Sequence, residues 1–254
     1  MRLGCDPEVF LKKKNKLISS IGRIGGNKQF PFQVPDLPPG FTLQEDNVSL
    51  EFGIPPASTK EEFRESIFKI MKAGKQLTHL SYSPHSSAEF PPDQLEDPRS
   101  EIFGCEPDFN AWTRDVNPPI ERFKPTLRSA GGHVHVETNL HKENVIRAMD
   151  LYLGVPAMLM DVEGDKRRLL YGKAGAFRPK PYGVEYRTLS NFWIFNPKHI
   201  DWIWDETERA LDEVAEHGDD IISNLYSKEI VNCINNNDYH LATQLCERFD
   251  LHVA

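Results

Sequence analysis

No stretch of the sequence approaches the ~18 consecutive apolar residues of a membrane span. The opening run, Met1-Arg-Leu-Gly-Cys-Asp-Pro-Glu8, lacks the apolar core of a secretion signal. The expectation is therefore a soluble, cytoplasmic protein with no membrane partner. Cysteine is scarce, and Cys5, Cys105, Cys233 and Cys246 stand apart without Cys-x-x-Cys spacing. That excludes a zinc ribbon or a disulfide framework and predicts reduced thiols. Long basic runs are missing too. With a net charge of -8, the chain offers no track for nucleic acid, and none is expected as a partner.

What is present suffices for a full core. A chain of 254 residues with 39% hydrophobic content fits one large domain, or one domain with a helical appendage. Its most informative stretch is Arg128-Ser-Ala-Gly-Gly-His133-Val-His135-Val136. About fifty residues on, it is answered by Phe177-Arg178-Pro-Lys-Pro-Tyr-Gly-Val-Glu185-Tyr-Arg187. Residues two apart share one face of a strand, so His133 pairs with His135 and Glu185 with Arg187. Imidazole and carboxylate bind divalent cations, while arginine grips carboxylate or phosphate through paired donors. The pattern predicts a metal–phosphate site on a sheet. Gly131-Gly132 allows close approach by a neighbouring strand or by a phosphate.

Further acids lie on other predicted strands. In Leu3-Gly-Cys-Asp6-Pro-Glu8-Val-Phe-Leu11, Asp6 and Glu8 point to one side unless the segment is an exposed loop. A turn at Lys12–Lys16 and a strand over 17–21 complete a hairpin. Residues 22–40, punctuated by Gly and Pro, read as a long irregular connection. In Phe41-Thr-Leu-Gln-Glu45-Asp46-Asn47-Val-Ser-Leu-Glu51-Phe-Gly-Ile54, the spacing puts Val48, Leu50 and Phe52 on one face. Ser49, Glu51 and Gly53 fall on the other; a solvated face is the ordinary fate of such an acid.

Ser58-Thr59-Lys-Glu61-Glu62 supplies capping boxes for a helix, with Phe63, Ile67, Ile70, Met71 and Leu77 at helical spacing to about Leu80. Residues 81–119 are rich in Pro, Ser and Asp, and Ile102-Phe-Gly104-Cys-Glu106-Pro107-Asp108-Phe109 echoes the first strand. That echo is equally a structural turn or a substrate loop. A helix over 142–160 carries Val145, Met149, Leu153 and Met158, with a kink at Pro156. Residues 161–180 gather Lys166, Arg167, Arg168, Lys173, Arg178 and Lys180 into a basic cluster suited to a phosphate clamp, or to a solvated loop. From His199 the pattern is helical through Ile203, Leu211, Val214 and Ile221, with a break near Gly218. A final helix pair spans 227–249, its turn capped by Asp238.

These motifs together, Gly4-Cys-Asp-Pro-Glu8, Glu45-Asp-Asn-Val-Ser-Leu-Glu51, Gly131-Gly-His-Val-His135 and Tyr171-Gly-Lys-Ala-Gly-Ala-Phe-Arg-Pro-Lys-Pro-Tyr-Gly-Val-Glu185-Tyr-Arg187, resemble those of the phage-encoded carboxylate–amine ligases of type 2. These belong to the amidoligase group related to glutamine synthetase and glutamate–cysteine ligase. The resemblance implies an α+β fold, a curved and mainly antiparallel sheet with helices on its outer face, in a catalytic domain over 1–197. A helical C-terminal segment over 198–254 would pack on it or mediate assembly into a homo-oligomer. The resemblance also implies ATP and Mg²⁺ (or Mn²⁺) as cofactors. Metal ligands would be Asp6, Glu8, Glu51, His133 and Glu185, less directly Glu45 or Asp46. His135 would lie near the phosphates with Lys173, Arg178, Lys180 and Arg168. Glu185, Arg187 and Arg178 would serve the transfer itself. The chain departs from glutamine synthetase in having Asp6 before Pro7 in place of a second glutamate, and no counterpart of the acidic loop that deprotonates ammonium is evident.

The implied reaction joins a carboxylate substrate to an amine substrate, each an amino acid, peptide or protein. A carboxylate needs its oxygen made into a leaving group, which ATP does by forming an acyl phosphate. Two other readings stand beside it. His-x-His on a strand also suits a zinc-dependent hydrolase, although the barrel version places that motif on the first strand and needs βα alternation. A non-catalytic, nucleotide-binding or virion-associated protein on a ligase fold would keep the residues without turnover.

Overall fold

The computed structural model describes residues 1–102, 108–118, 124–161, 163–168, 170–218 and 227–254. The chain begins with β1 (Arg2–Cys5), β2 (Glu8–Val9), β3 (Leu11–Lys13), β4 (Lys16–Ile18), β5 (Phe32–Gln33), β6 (Thr42–Asp46) and β7 (Ser49–Gly53), then α1 (Lys60–Thr78). Short strands β8 (Ser81–Tyr82), β9 (Ser87–Glu89) and β10 (Phe109–Asn110) precede β11 (Leu127–Ser129) and β12 (Val134–Glu137). There follow α2 (Lys142–Met149), α3 (Val155–Met160), α4 (Gly164–Arg168), the hairpin β13 (Ala176–Lys180) and β14 (Gly183–Tyr186), and α5 (Pro197–His217), α6 (Ser227–Asn236) and α7 (Tyr239–Phe249). This is an α+β chain whose strand pairs, among the described residues, are antiparallel. Such pairing is not that of a β/α barrel.

The main sheet has the order β1-β12-β14-β13-β10, and a second runs β2-β7-β6-β5. The chain passes from one to the other at Asp6-Pro7, because Cys5 pairs with Val134 while Glu8 pairs with Glu51. Pro7 has no N–H to give a ladder, but its carbonyl accepts from Phe52, so a proline suits the crossing. Alternation then sorts the main sheet. Leu3, Val134, Val136, Val184 and Tyr186 enter the core shared with α1, α2 and α5, and the opposite face carries the polar residues.

The hairpin at 11–18 is present, but its second strand ends at Ile18, short of the expected Ile21. Ser20 instead donates through its N–H to Val48 and through its hydroxyl to Ser49, which draws the chain away from β3. Residues 22–40 are irregular apart from β5, which pairs with β6. Helix α1 starts on the expected capping box: Thr59 Oγ1 accepts from Glu62 N–H at 3.2 Å, and the Glu62 carboxylate accepts from Ser58 N–H at 2.9 Å. Phe63, Ile67 and Ile70 are fully buried, each worth about 1.5–3 kcal/mol. Leu77 is not on that face; it is 40% exposed.

The helix over 142–160 widens into a π turn at Asp150–Gly154 between α2 and α3, so the irregularity precedes Pro156. Proline cannot donate to the carbonyl four residues back, and its ring crowds that carbonyl, so the preceding turn opens. Val145, Met149 and Leu153 remain in the main core, and Met158 joins a second cluster with α6 and α7. α5 packs chiefly on α1 and α2, and α7 on α3. Asp238 caps α7 by accepting from Leu241 N–H. Ile221, and residues 103–107 of the echo, lie outside the described residues. Cys5, Cys233 and Cys246 are free, buried thiols. Among the described residues no helix is long and apolar enough to cross a membrane.

Candidate functional site

Register builds the site's floor. Across the main sheet Gly4, His135, Glu185 and Arg178 stand opposite one another on neighbouring strands, in a single row. Asp6, where the chain leaves this sheet, extends the row: its carboxylate lies 3.1 Å from His135 Nε2 and 3.2 Å from His133 Nδ1. Glu185 is fully buried, and its oxygens face Lys180 Nζ at 2.6 Å, Arg187 Nη1, and Arg178 Nη1 at 3.6 Å. Arg187 is held from its other side by Asp108, 2.8 Å from Nε.

These contacts set the protonation states. Burial alone would raise Asp6, but the imidazoles hold it well below the usual carboxylate range. Burial and Asp6 likewise push Glu185 upward, and Arg187 with the neighbouring histidines outweighs them, bringing it to about 2. The two histidines differ. His133 is lowered to about 4 by burial and the Arg187 charge; its Nδ1 lies between Arg187 Nη1 at 3.1 Å and Asp6 Oδ1 at 3.2 Å, so a neutral ring can accept from the first or donate to the second at that nitrogen. His135 is half-buried and raised by Asp6, and its Nδ1 lies 2.6 Å from the Tyr182 hydroxyl.

A second acidic group lies across the cleft, on the other sheet. Glu8, Asp46 and Glu51 each offer an oxygen, all within 4.8 Å of one another. Here acids face acids. Glu8 is pushed up to about 7 by burial and Asp46, although it accepts the Gly131 N–H at 2.8 Å. Burial and the neighbouring acids raise Glu51 well above its ordinary value, and burial raises Asp46. Half-buried carboxylates at this spacing favour a shared proton or a cation, and an all-oxygen set fits magnesium or manganese. The expected metal ligands are thus divided between two groups. Glu8 and Glu51 stand with Asp46, whereas Asp6 and Glu185 stand with His135, the histidine expected at the phosphates; His133, the expected ligand, is in neither group.

Of the Glu45/Asp46 pair, Asp46 is the one at the cleft. The hairpin register pairs Glu45 with Leu50 and Asp46 with Ser49, so Asp46 shares the face of Glu51. Glu45 instead accepts from the N–H groups of Gly22, Arg23, Ile24 and Gly25, fixing the irregular connection. Arg178 lies in the Glu185 row, and Lys180, opposite Gly183, reaches Glu185 from the same face. Arg168 does not come to the cleft; its Nη1 donates to Asn237 Oδ1 at 2.7 Å, towards α6 and α7. Lys173 is exposed, and what it contributes is a backbone carbonyl accepting from Thr188 Oγ1. The cleft between the walls is lined by Glu8, Asp46, His133, Arg167, Tyr171 and Arg187, among others.

The paired glycines serve the backbone. A Cβ on Gly132 would come within 2.3 Å of the Ser190 carbonyl oxygen, and one on Gly131 would strike the His133 ring. Sequence reasoning missed Tyr182 and Asp150, named Arg167 only within the basic cluster, and gave Asp108 no role beyond the echo. Asp150, fully buried in the π turn, accepts from Trp112 Nε1, Gly175 N–H, Tyr186 Oη and Thr188 Oγ1. Burial raises it to about 6 against those donors. It thereby fixes the residues on either side of Glu185 and Arg187.

Residues 122–208 match the family model described as Phage phiEco32-like COOH.NH2 ligase-type 2. The match covers β11 to the first half of α5, with both histidines, Glu185 and Arg187. It identifies this part of the chain with the family its motifs resemble, carboxylate–amine ligases by name. Asp6, Glu8, Asp46 and Glu51 lie outside the matched residues. No curated protein matches the chain.

Proposed function

We propose, from the family identified over residues 122–208, that this protein is an ATP-dependent carboxylate–amine ligase. It would join an acid to an amine as an amide or isopeptide bond through an acyl phosphate, releasing ADP and phosphate. One juxtaposition carries the reading: Glu8 and Asp46, grouped with Glu51, line one cleft with His133 and Arg187, which lie on the ligase-matched segment. Carboxylates alone would suit a simple cation site, and arginine alone an anion site. Facing each other across one cleft, they fit a metal-bound phosphate.

Bound ATP would supply the phosphoryl group that turns the acid's oxygen into a leaving group, and magnesium or manganese the charge that neutralises the phosphate oxygens. Glu8, Asp46 and Glu51 would hold the cation, and the repulsion that raises them would vanish on loading. Glu185 and Asp108 aim the Arg187 guanidinium, while Lys180 and Arg178 keep Glu185 ionised. Arg187 then presents a fixed charge to the transferring group, which needs no reorganisation during the reaction.

The test is an ATP-consumption screen over amino acids and peptides, with hydroxylamine replacing the amine and mass spectrometry of the products. ADP, phosphate and a hydroxamate are expected with the correct acid. Stoichiometric AMP would refute the acyl phosphate. If calorimetry detects no ATP binding by folded protein in Mg²⁺ or Mn²⁺, the ligase reading falls.

A further inference from the structure

Three arginines line the cleft, Arg128, Arg167 and Arg187, and the last two are engaged very differently. Arg187 is ion-paired with Asp108 and Glu185. Arg167, on α4, is 3% exposed and makes no ion pair with a carboxylate among the described residues. Its bonds go to neutral groups: Nη1 donates to Ser129 Oγ at 3.0 Å, and Nη2 to the Arg187 carbonyl at a long 3.4 Å. Nε has no partner and sits under Gly172, where a Cβ would approach it to 3.0 Å. The guanidinium also lies 5.9 Å from the Tyr171 ring centre.

A guanidinium has five N–H donors and stays charged in proteins. Burying one costs free energy that two bonds to neutral oxygens recover in part. Glu8 and Asp161 act on it through space, while burial and Arg187 oppose its charge. Each Nη keeps one N–H beyond those bonds, in a guanidinium that lines the cleft. Ser129, already accepting from Arg167, has a hydroxyl proton of its own to give.

We propose that Arg167, with Ser129 and Tyr171, forms an oxyanion-binding subsite for a substrate carboxylate or phosphate, separate from the Arg187 ion-pair network. The subsite shares the cleft with the proposed reaction but does not rest on ATP chemistry. Its occupant supplies the negative charge that Arg167 lacks. The geometry favours a ligand whose oxygens reach two nitrogens at once, which lysine does not reproduce.

The experiment follows the Arg167 Nε–Hε resonance in ¹⁵N-arginine-labelled full chain during titration with inorganic phosphate and, separately, acetate. Arg167→Lys, Arg167→Gln and the distant surface variant Arg64→Gln are compared, each checked for folding by circular dichroism. A saturable shift at Arg167 is expected. Arg167→Lys should weaken the anion about tenfold or more, and Arg64→Gln should leave the affinity unchanged. Response to phosphate alone assigns the subsite to a phosphoryl group, and response to acetate assigns it to the acid substrate. The proposal is overturned if neither anion moves the Arg167 signal, or if the folded Lys and Gln variants bind like wild type. Absence of ATP turnover in a protein that passes this test would remove the ligase reading and leave the subsite standing.

Discussion

The two acidic groups of the cleft are built from the same residue types and behave in opposite ways. Around Glu185 each carboxylate is answered by a base: Lys180, Arg178 and Arg187 for Glu185 itself, the imidazoles for Asp6. Around Glu8 stand the carboxylates Asp46 and Glu51, and burial with Asp46 outweighs the opposing charges of Arg167 and Arg187. Burial disfavours ionisation in both. Partner charges reverse that effect in one and reinforce it in the other, so two glutamates with a common starting value of 4.5 end near 2 and near 7. The first group is complete as folded, and the second calls for a cation.

The largest effect is expected where the compensated group is broken. Glu185→Gln leaves Lys180 and Arg187 without their shared counter-charge in the interior, and should cost about 3–5 kcal/mol in urea unfolding at pH 7. The same substitution in the other group should have the opposite sign. Glu8→Gln removes a carboxylate whose ionisation is disfavoured, and Gln still accepts from Gly131 N–H. The metal-free variant should gain up to about 3 kcal/mol at pH 7, from a shift of 4.5 to about 7. If both variants are destabilised alike, the contrast between the groups is false.

pH sharpens the same comparison. The folded Glu8 value lies above the unfolded one, so its penalty is absent below about pH 4.5 and complete above about 7. The stability difference between Glu8→Gln and wild type should therefore open across that window. Glu185, lowered to about 2, contributes stability that is present above about pH 4.5 and lost as pH falls through 2. Slightly smaller is the effect of metal. Mn²⁺ at a hundred times its dissociation constant should stabilise wild type by about 2.7 kcal/mol, progressively less below pH 7, and should do little for Asp46→Asn. Thermal unfolding with and without EDTA measures it. An Asp46→Asn protein that responds like wild type would take the cation away from this wall.

How much of this was legible depended on whether one strand or several were needed. The pairs His133/His135 and Glu185/Arg187, and the cap at Thr59, follow from spacing within a single element, and they are where spacing puts them. What brings His135 opposite Glu185 is register between strands fifty residues apart, and no local pattern encodes it. Asp46 was nearer to legible. The two residues Asn47-Val48 turn the β6–β7 hairpin, with Asn47 at φ 54°, and counting back from Glu51 across that turn puts Asp46 on its face. Arg167 and Arg168 are indistinguishable as letters. They part because successive helical residues point about 100° apart, sending one to the cleft and the other to Asn237. Asp108 stood inside the echo of the first strand, and an echo alone does not say that its acid meets Arg187.

The smallest expected effect probes the edge of the compensated group. Tyr182 is 43% exposed, and its hydroxyl lies 2.6 Å from His135 Nδ1. His135 is raised by Asp6 on its Nε2 side, so the doubly protonated ring, in which the phenol oxygen accepts from Nδ1–H, persists to higher pH than in a free imidazole. Tyr182→Phe deletes that acceptor and leaves the Asp6 contact. Water replaces the phenol at so exposed a position, so the cost should be only about 0.5–1 kcal/mol, present at pH 6 and fading as pH rises through the folded His135 value. The fade follows from sign: a histidine raised on folding stabilises most below its unfolded value, and what it contributes disappears once it loses its proton. NMR titration of the His135 ring should show its pKa lowered in Tyr182→Phe, with Glu185 unaffected because Lys180 and Arg187 still hold it. A His135 that titrates identically in both proteins would mean that Asp6 alone sustains its charge, confining the compensated group to buried residues.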